Sequence, residues 1–135
     1  PDFYTILVEA TAALELGLGR IAGAGLRRAL EFLVKDYARS TTDDAQEKEA
    51  IAGMWLGRCI KKYVEDPRVQ KVAEATAWLG NDETHYQRRW EDKDIEYLQA
   101  LLELTMNGIH NILLSDQVIR EMHDRDEPSS AGNGG

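Results

Sequence analysis

The feature of this chain that most constrains its fold is how rarely proline interrupts it. Prolines stand only at positions 1, 67 and 128, and none falls inside a segment with regular apolar spacing. Apolar residues recur at steps of three and four along several long segments, which is the spacing of one face of a helix. Alternating apolar and polar stretches, the pattern of a half-buried strand, are absent. The sequence therefore predicts an all-α protein.

Five helices are predicted, and residues that start or stop helices bound them. The glycine at 17 and Gly80 are stop signals for the first and fourth helices. Asp66 and Pro67 are a predicted N-cap and first helical residue. The predicted ranges are 3–16, 20–38, 45–63, 67–79 and 92–123. They form a compact bundle of about five helices.

Each predicted helix has an apolar face to bury. Gly23 and Gly25 lower the helix propensity of the second helix, which is tolerated if another helix packs very close there. Cys59 lies on an apolar face and is interpreted as a core residue rather than a nucleophile. Large residues also assigned to the core are Ile21, Trp55, Trp78, Trp90 and Ile119.

The charge distribution disfavours nonspecific binding of nucleic acid without excluding a local basic patch. The net charge is −8, and an overall negative field repels phosphates. Residues 1–91 carry 13 Lys+Arg against 15 Asp+Glu, whereas residues 92–135 carry 3 against 9. The acidity is thus concentrated in the last helix and the tail.

The length and composition predict one domain in a reducing compartment. A chain of 135 residues favours a single domain, here residues 1–125. Residues 126–135 are polar and rich in Gly and Ser, which predicts a disordered tail. One cysteine allows no internal disulfide and fits the cytoplasm. No apolar run reaches a membrane span and no signal peptide is visible. The start at Pro1, without methionine, favours a fragment of a longer protein or a processed chain.

The chemical groups of greatest interest lie in "WLGNDETHYQRRWEDKD", residues 78–94. His85 is a candidate general acid or base, because its ordinary pKa is near neutral. Together with Asp82 and Glu83 it resembles part of a metal site, but three ligands so close in sequence rarely form a whole site. No metal and no cofactor are therefore predicted. The candidate binding residues in this stretch are Asn81, Asp82, Glu83, Arg88 and Arg89.

Two arginines of the second helix are further candidates for binding. Arg28, Glu31 and Lys35 share one helix face, which is typical of a solvated salt-bridge face worth a few tenths of a kcal/mol per pair. In the functional interpretation, Arg27 or Arg28 reaches across to residues 80–90. Both interpretations stay open at the level of sequence.

Two motifs carry a resemblance to a known family. "GLRRALEFLVKDYA" and "WLGNDETHYQRRWEDKDIEYLQALLELT" resemble the domain of unknown function 4145 family over about residues 3–113. That family is counted among the HEPN-like helical domains of prokaryotes and their mobile elements. The resemblance implies a small helical bundle that pairs as a homodimer. It also implies a place in larger proteins, including restriction and phage-defence components, in which a zinc-ribbon-like segment can precede the domain.

The resemblance also implies a ribonuclease motif, which this chain keeps only in part. Active HEPN-like domains cleave RNA without metal, using an arginine and a histidine four to six residues later. "GNDETH" keeps Asn81 and His85, whereas Gly80 stands at the expected arginine position. A glycine offers no guanidinium for bidentate phosphate binding. The arginine pairs 88–89 and 27–28 could substitute.

Two hypotheses follow. The favoured one is a noncatalytic HEPN-like interaction or regulatory module, a homodimer with a protein partner, in a cytoplasmic prokaryotic or phage protein. The alternative is a metal-independent ribonuclease or RNA-binding domain that uses His85 with Arg88, Arg89 or Arg28. A basic groove around His85 would favour the alternative, and tight packing of His85 against Trp78 or Trp90 would favour the first.

Overall fold

A computed structural model describes residues 2–81 and 92–126, and six helices lie within these ranges. They are α1 (Phe3–Glu15), α2 (Gly19–Ser40), α3 (Ala45–Ala52), α4 (Leu56–Tyr63), α5 (Pro67–Leu79) and α6 (Asp92–Asp126). The described ranges contain no strand, which confirms the predicted all-α class. None of the described helices is both long and apolar enough to cross a membrane.

Aspartates and one glycine determine where several helices begin and end. Asp2 accepts a hydrogen bond from a first-turn amide of α1 at 2.8 Å, and Asp44 does the same for α3 at 2.9 Å. Asp66 accepts two such bonds at 3.0 and 3.2 Å, directly before Pro67 at the start of α5. These bonds satisfy amides that have no partner within the helix. Gly17 ends α1 with φ 76°, a conformation that glycine adopts without strain.

The predicted third helix is wrong as a single element, because the chain breaks at residues 53–55. α3 ends at Ala52, and Gly53 forms its C-cap. Trp55 is extended, with φ −62° and ψ 138°, and α4 starts after it. The apolar spacing continues through the break, so the spacing alone suggested one helix. This break accounts for six described helices where about five were predicted.

The core is organised around α2, which contacts each of the other five described helices. Its buried face runs along the helix at helical spacing, through Leu26, Leu30 and Val34. The fully or nearly fully buried side chains that surround this face come from four other helices: Ile6, Ala10, Ile51, Cys59, Ile60, Leu98 and Leu102.

Glycines allow two pairs of helices to pack unusually close. A Cβ placed on Gly25 of α2 would lie 2.9 Å from the Cβ of Ala10 on α1. The predicted close helix contact is therefore confirmed at Gly25. A Cβ on Gly108 of α6 would lie 2.7 Å from Cγ2 of Val69 on α5. Both distances are too short for real carbon atoms, so these contacts require glycine.

Besides Trp78, which is described with the candidate site, three large residues predicted to be buried are exposed, and this corrects the predicted core. Ile21 lies nine residues before Leu30, two and a half turns away, and so on the opposite side of α2. Trp55 precedes α4 rather than lying on it, and 86% of its surface is exposed. Ile119 is exposed because it lies in the last part of α6, which extends past the other described helices. From residue 113 to 126, a segment called the α6 arm below, every residue is exposed.

A pair of glycine substitutions tests the close contact between α5 and α6. Gly108→Ala should destabilise the protein by about 1–3 kcal/mol, because the added methyl overlaps the stiff, branched Val69. Gly57→Ala is the matched control on α4, where nothing lies within 4 Å of the new Cβ. It should stabilise the protein by up to about 1 kcal/mol through helix propensity. Urea unfolding measures both, and equal effects would contradict the packing.

Candidate functional site

Three of the predicted site residues lie in the described parts of the chain: Arg27, Arg28 and Asn81. The others lie outside the described residues, as does Trp90: Asp82, Glu83, His85, Arg88 and Arg89. The described side of the candidate site is therefore built from α2 and from the end of α5. Among residues 2–81 and 92–126, no group of three or more His, Cys, Asp or Glu side chains could hold a metal ion.

α5 ends at Gly80, and α2 contacts it there. The amide of Gly80 donates to the carbonyl of Thr76 at 3.0 Å, and the amide of Asn81 donates to that of Trp78 at 3.2 Å. A Cβ on Gly80 would lie 2.9 Å from the Cβ of Arg27 and 3.2 Å from its Cγ. The two backbones can approach this closely because residue 80 has no side chain. Gly80 thus has a packing role that its position in the motif did not reveal.

Arg27 is the arginine that α2 brings to the start of the candidate site. It is half-buried, and the stem of its side chain packs beside Gly80, the residue before Asn81. An arginine stem can cover a buried surface while its guanidinium extends further. The contact between α2 and α5 therefore places an arginine side chain beside Gly80. Gly80 is the position at which the ribonuclease motif would have its arginine.

Arg28 points to other partners on α2. Its guanidinium lies 3.9 Å from the Glu31 carboxylate and 5.3 Å from the centre of the Phe32 ring. Glu31 is also 3.9 Å from Lys35, whose ammonium donates to the carbonyl of Ala52 at 3.0 Å. With 64% of the Arg28 side chain exposed, this ion pair contributes only a few tenths of a kcal/mol. The salt-bridge interpretation of this face is the one that the described contacts support.

Trp78 is not a core residue, contrary to the sequence prediction. It is 59% exposed, whereas its neighbours Thr76 and Leu79 are buried. Trp78 follows Lys71 by seven residues, nearly two turns, and both are exposed on the outer face of α5. Its size suggested burial, but the phase of the helix places the indole at the surface.

Cys59 is a core residue, as predicted, and it is chemically protected. Burial raises the pKa of the Cys59 thiol, Lys35 lowers it and Glu31 raises it. Because the thiolate is the reacting species, folded protein at pH 8 should react with a maleimide at least ~100-fold more slowly than urea-unfolded protein. Comparable rates in the two states would show that the thiol is accessible in the fold.

A second face of α6 carries exposed apolar residues that the sequence analysis missed. From 97 to 118, positions at alternating steps of three and four residues are all exposed, and Met122 continues the series. We call this face the α6 strip: Tyr97, Ala100, Leu104, Asn107, Asn111, Leu114, Val118 and Met122. Its five large apolar side chains are between 45% and 60% exposed. Exposed apolar side chains that share one face of a folded domain make that face a candidate interaction site.

Comparison with known proteins identifies a family for this chain. The model of the family described as "Domain of unknown function (DUF4145)" matches residues 8–125. No curated protein and no solved structure matches the chain. The matched range contains the contact between Arg27 and Gly80 and the whole α6 strip.

Proposed function

The chain belongs to the DUF4145 family, and from that premise we propose that it is a noncatalytic, HEPN-like interaction or regulatory module. It acts as a homodimer that binds a further protein, in the cytoplasm of a prokaryote or as part of a phage or phage-defence protein. The HEPN-like assignment and this setting rest on the sequence resemblance. The interaction role rests on the exposed surface of α6.

The α6 arm is the observation that carries the proposal. In the arm, every residue from 113 to 126 is exposed, so the described helices of its own bundle leave much of its surface uncovered. An isolated helix this short is marginally stable in water. Five large apolar residues of the arm are exposed to water, which is unfavourable and does not stabilise the helix: Leu113, Leu114, Val118, Ile119 and Met122. A helix of this kind is stabilised when another protein surface covers it.

The contact at Gly80 supports the noncatalytic part of the proposal. An arginine in the place of Gly80 would bring its Cβ to within 2.9 Å of the Cβ of Arg27. The packing of α2 on α5 therefore excludes the arginine of the ribonuclease motif from its usual position. A chain with a packing glycine at this position cannot make a bidentate phosphate contact from it.

The position of Arg27 favours a second candidate function, a metal-independent ribonuclease or RNA-binding domain. The stem of Arg27 packs beside Gly80, one residue before Asn81 and five before His85. In this mechanism His85 transfers a proton at the ribose 2′-hydroxyl, and the Arg27 guanidinium stabilises the charge on the phosphate. Arg27 would then replace, from α2, the arginine that the motif lacks.

Cleavage of a labelled, mixed-sequence RNA pool separates the two functions. Purified protein is incubated with a chelator beside the variants His85→Ala and Arg27→Ala, with Arg28→Ala as the matched arginine control. The noncatalytic proposal predicts no cleavage, or equal cleavage by all four proteins through a contaminant. Cleavage that survives the chelator and is lost in His85→Ala and Arg27→Ala, but not in Arg28→Ala, would overturn it in favour of the ribonuclease.

A further inference from the structure

We propose that two copies of the chain pair through the α6 strip in an antiparallel arrangement, with Asn111 of each copy at the two-fold axis. This inference rests on the proposed homodimer and adds the surface, orientation and register of the pairing. It follows from the spacing and identity of the exposed residues on α6.

The spacing of the α6 strip is that of a helix-pairing seam. Alternating steps of three and four residues give a mean period of 3.5, which keeps a seam facing a partner helix along its length. From Tyr97 to Arg125 the strip and the residue that follows it extend over ~42 Å at 1.5 Å per residue. Throughout this length the positions of the strip are exposed, so none of the described helices covers them.

When one copy is reversed about Asn111, the outer positions of the strip face one another, whereas Asn107 and Leu114 face Ser115 and Gly108 beside the strip. Pairs at equal distances on either side of Asn111 then face each other across the interface. Leu104 faces Val118, two apolar side chains of moderate size. Ala100 faces Met122, so that a small side chain leaves room for a long one.

The ends of the seam favour the same orientation. Antiparallel pairing places Tyr97 of one copy against Arg125 of the other, where a guanidinium can lie over an aromatic face. Parallel pairing would place Arg125 against Arg125, with like charges opposed. The antiparallel arrangement thus removes the repulsion at one end and places an arginine against a tyrosine at each end of the interface.

Asn111 fits the centre of a two-fold interface. Its carboxamide has both donors and an acceptor, so two copies related by the axis can hydrogen-bond to each other. An asparagine at a core position of a helix pair disfavours registers that would bury its amide against apolar groups, and in this register Asn111 faces Asn111 and Asn107 faces Ser115. Asn111 lies seven residues from both Leu104 and Val118, the central apolar pair.

The antiparallel register also covers the α6 arm. Residues 111–125 of one copy lie along residues 97–111 of the other, the half of α6 that Leu98 and Leu102 anchor in the core. Each arm is therefore held by a rigid part of the partner's bundle. An isologous interface of this kind closes with two copies and does not propagate.

Cysteine cross-linking tests the surface, the orientation and the register together. Leu104→Cys and Val118→Cys are prepared separately, mixed and oxidised mildly, and the products are separated on a non-reducing gel. Both positions are exposed, so the variants should fold like the original protein, and the native Cys59 is buried. A disulfide needs Cβ atoms about 3.5–4.5 Å apart, so it reports direct opposition. Arg120→Cys, on the opposite face of α6, is the matched control.

The proposal predicts mixed Leu104→Cys/Val118→Cys dimers, self-linked dimers of Asn111→Cys, and little linkage of Arg120→Cys. Self-linkage of Leu104→Cys and of Val118→Cys, each at least as strong as the mixed product, would show parallel pairing and overturn the orientation. A dimeric mass with no linkage above that of Arg120→Cys would overturn the α6 surface while leaving the homodimer intact. A monomeric mass of the original protein would overturn both this inference and the proposed homodimer.

Discussion

Replacing both Leu104 and Val118 with aspartate should leave a folded monomer at concentrations where the original chain is a dimer. Each side chain is about half exposed in the single chain. Its burial in the dimer contributes about 1 kcal/mol, and the dimer contains four of them, which gives about 4 kcal/mol. The dissociation constant should therefore rise at least ~1,000-fold. Burial of the new carboxylates would raise it further.

A matched control separates loss of the surface from a general effect of charge. Arg120→Asp changes the net charge by the same two units as the double variant, but it lies on the opposite face of the exposed arm. It should remain dimeric, and all three proteins should show the same helical circular dichroism. The α6 strip would be excluded as the interface if the double variant and Arg120→Asp had equal dissociation constants.

Restoring the motif arginine by Gly80→Arg should destabilise the fold by about 3 kcal/mol and should not create ribonuclease activity. The new Cβ would lie 2.9 Å from the Cβ of Arg27 and 3.3 Å from the carbonyl of Thr76, both on well-packed helices. Either α2 or the end of α5 must shift to admit it. Urea unfolding gives the free energy, and the RNA pool gives the activity.

The Gly80→Ala variant tests whether the destabilisation by Gly80→Arg comes from the added Cβ atom. Since the overlap already involves the Cβ, alanine should show a large share of the destabilisation seen with arginine. The conformation of Gly80, with φ −81°, is one that alanine adopts freely, so no backbone strain contributes. An alanine variant as stable as the original would show that α2 and α5 are not in close contact there. A Gly80→Arg variant that cleaves RNA would show that the site tolerates the arginine.

The helices were largely predictable because their boundaries are set by local chemistry. The N-cap Asp66 and the stop at Gly17 act within a few residues, and the structure places helix ends where they predict. The break before α4 was not predictable in this way, since apolar spacing continues across it. Trp55 extends the chain at a point where its own apolar character had suggested a continuous buried face.

The candidate site was predictable from composition only in outline. The polar stretch that begins at Asn81 was recognisable from its residues, but the contact between Arg27 and Gly80 joins positions far apart in sequence. It depends on how α2 crosses the end of α5, and no local pattern encodes that crossing. The sequence indicated an arginine from α2 but did not distinguish Arg27 from Arg28. Their different contacts are set by a rotation of 100° along the helix.

The α6 strip was missed although its signal is present in the sequence. The stripe through Leu98, Leu102 and Ile109 accounts for the burial of α6, and these residues are buried. A second apolar series on the opposite side of the helix gives α6 more apolar surface than one bundle covers. The series through Leu104 and Val118 is recognisable as a separate seam only when the exposed side of the helix is known.

The mass of the original chain in solution tests the central claim most directly. Sedimentation equilibrium over a range of micromolar concentrations should give twice the chain mass of 15.2 kDa. The same experiment on the Leu104→Asp/Val118→Asp variant should give the mass of one chain. If the original chain instead sediments as a single copy throughout this range, the homodimer and its pairing through α6 are both wrong.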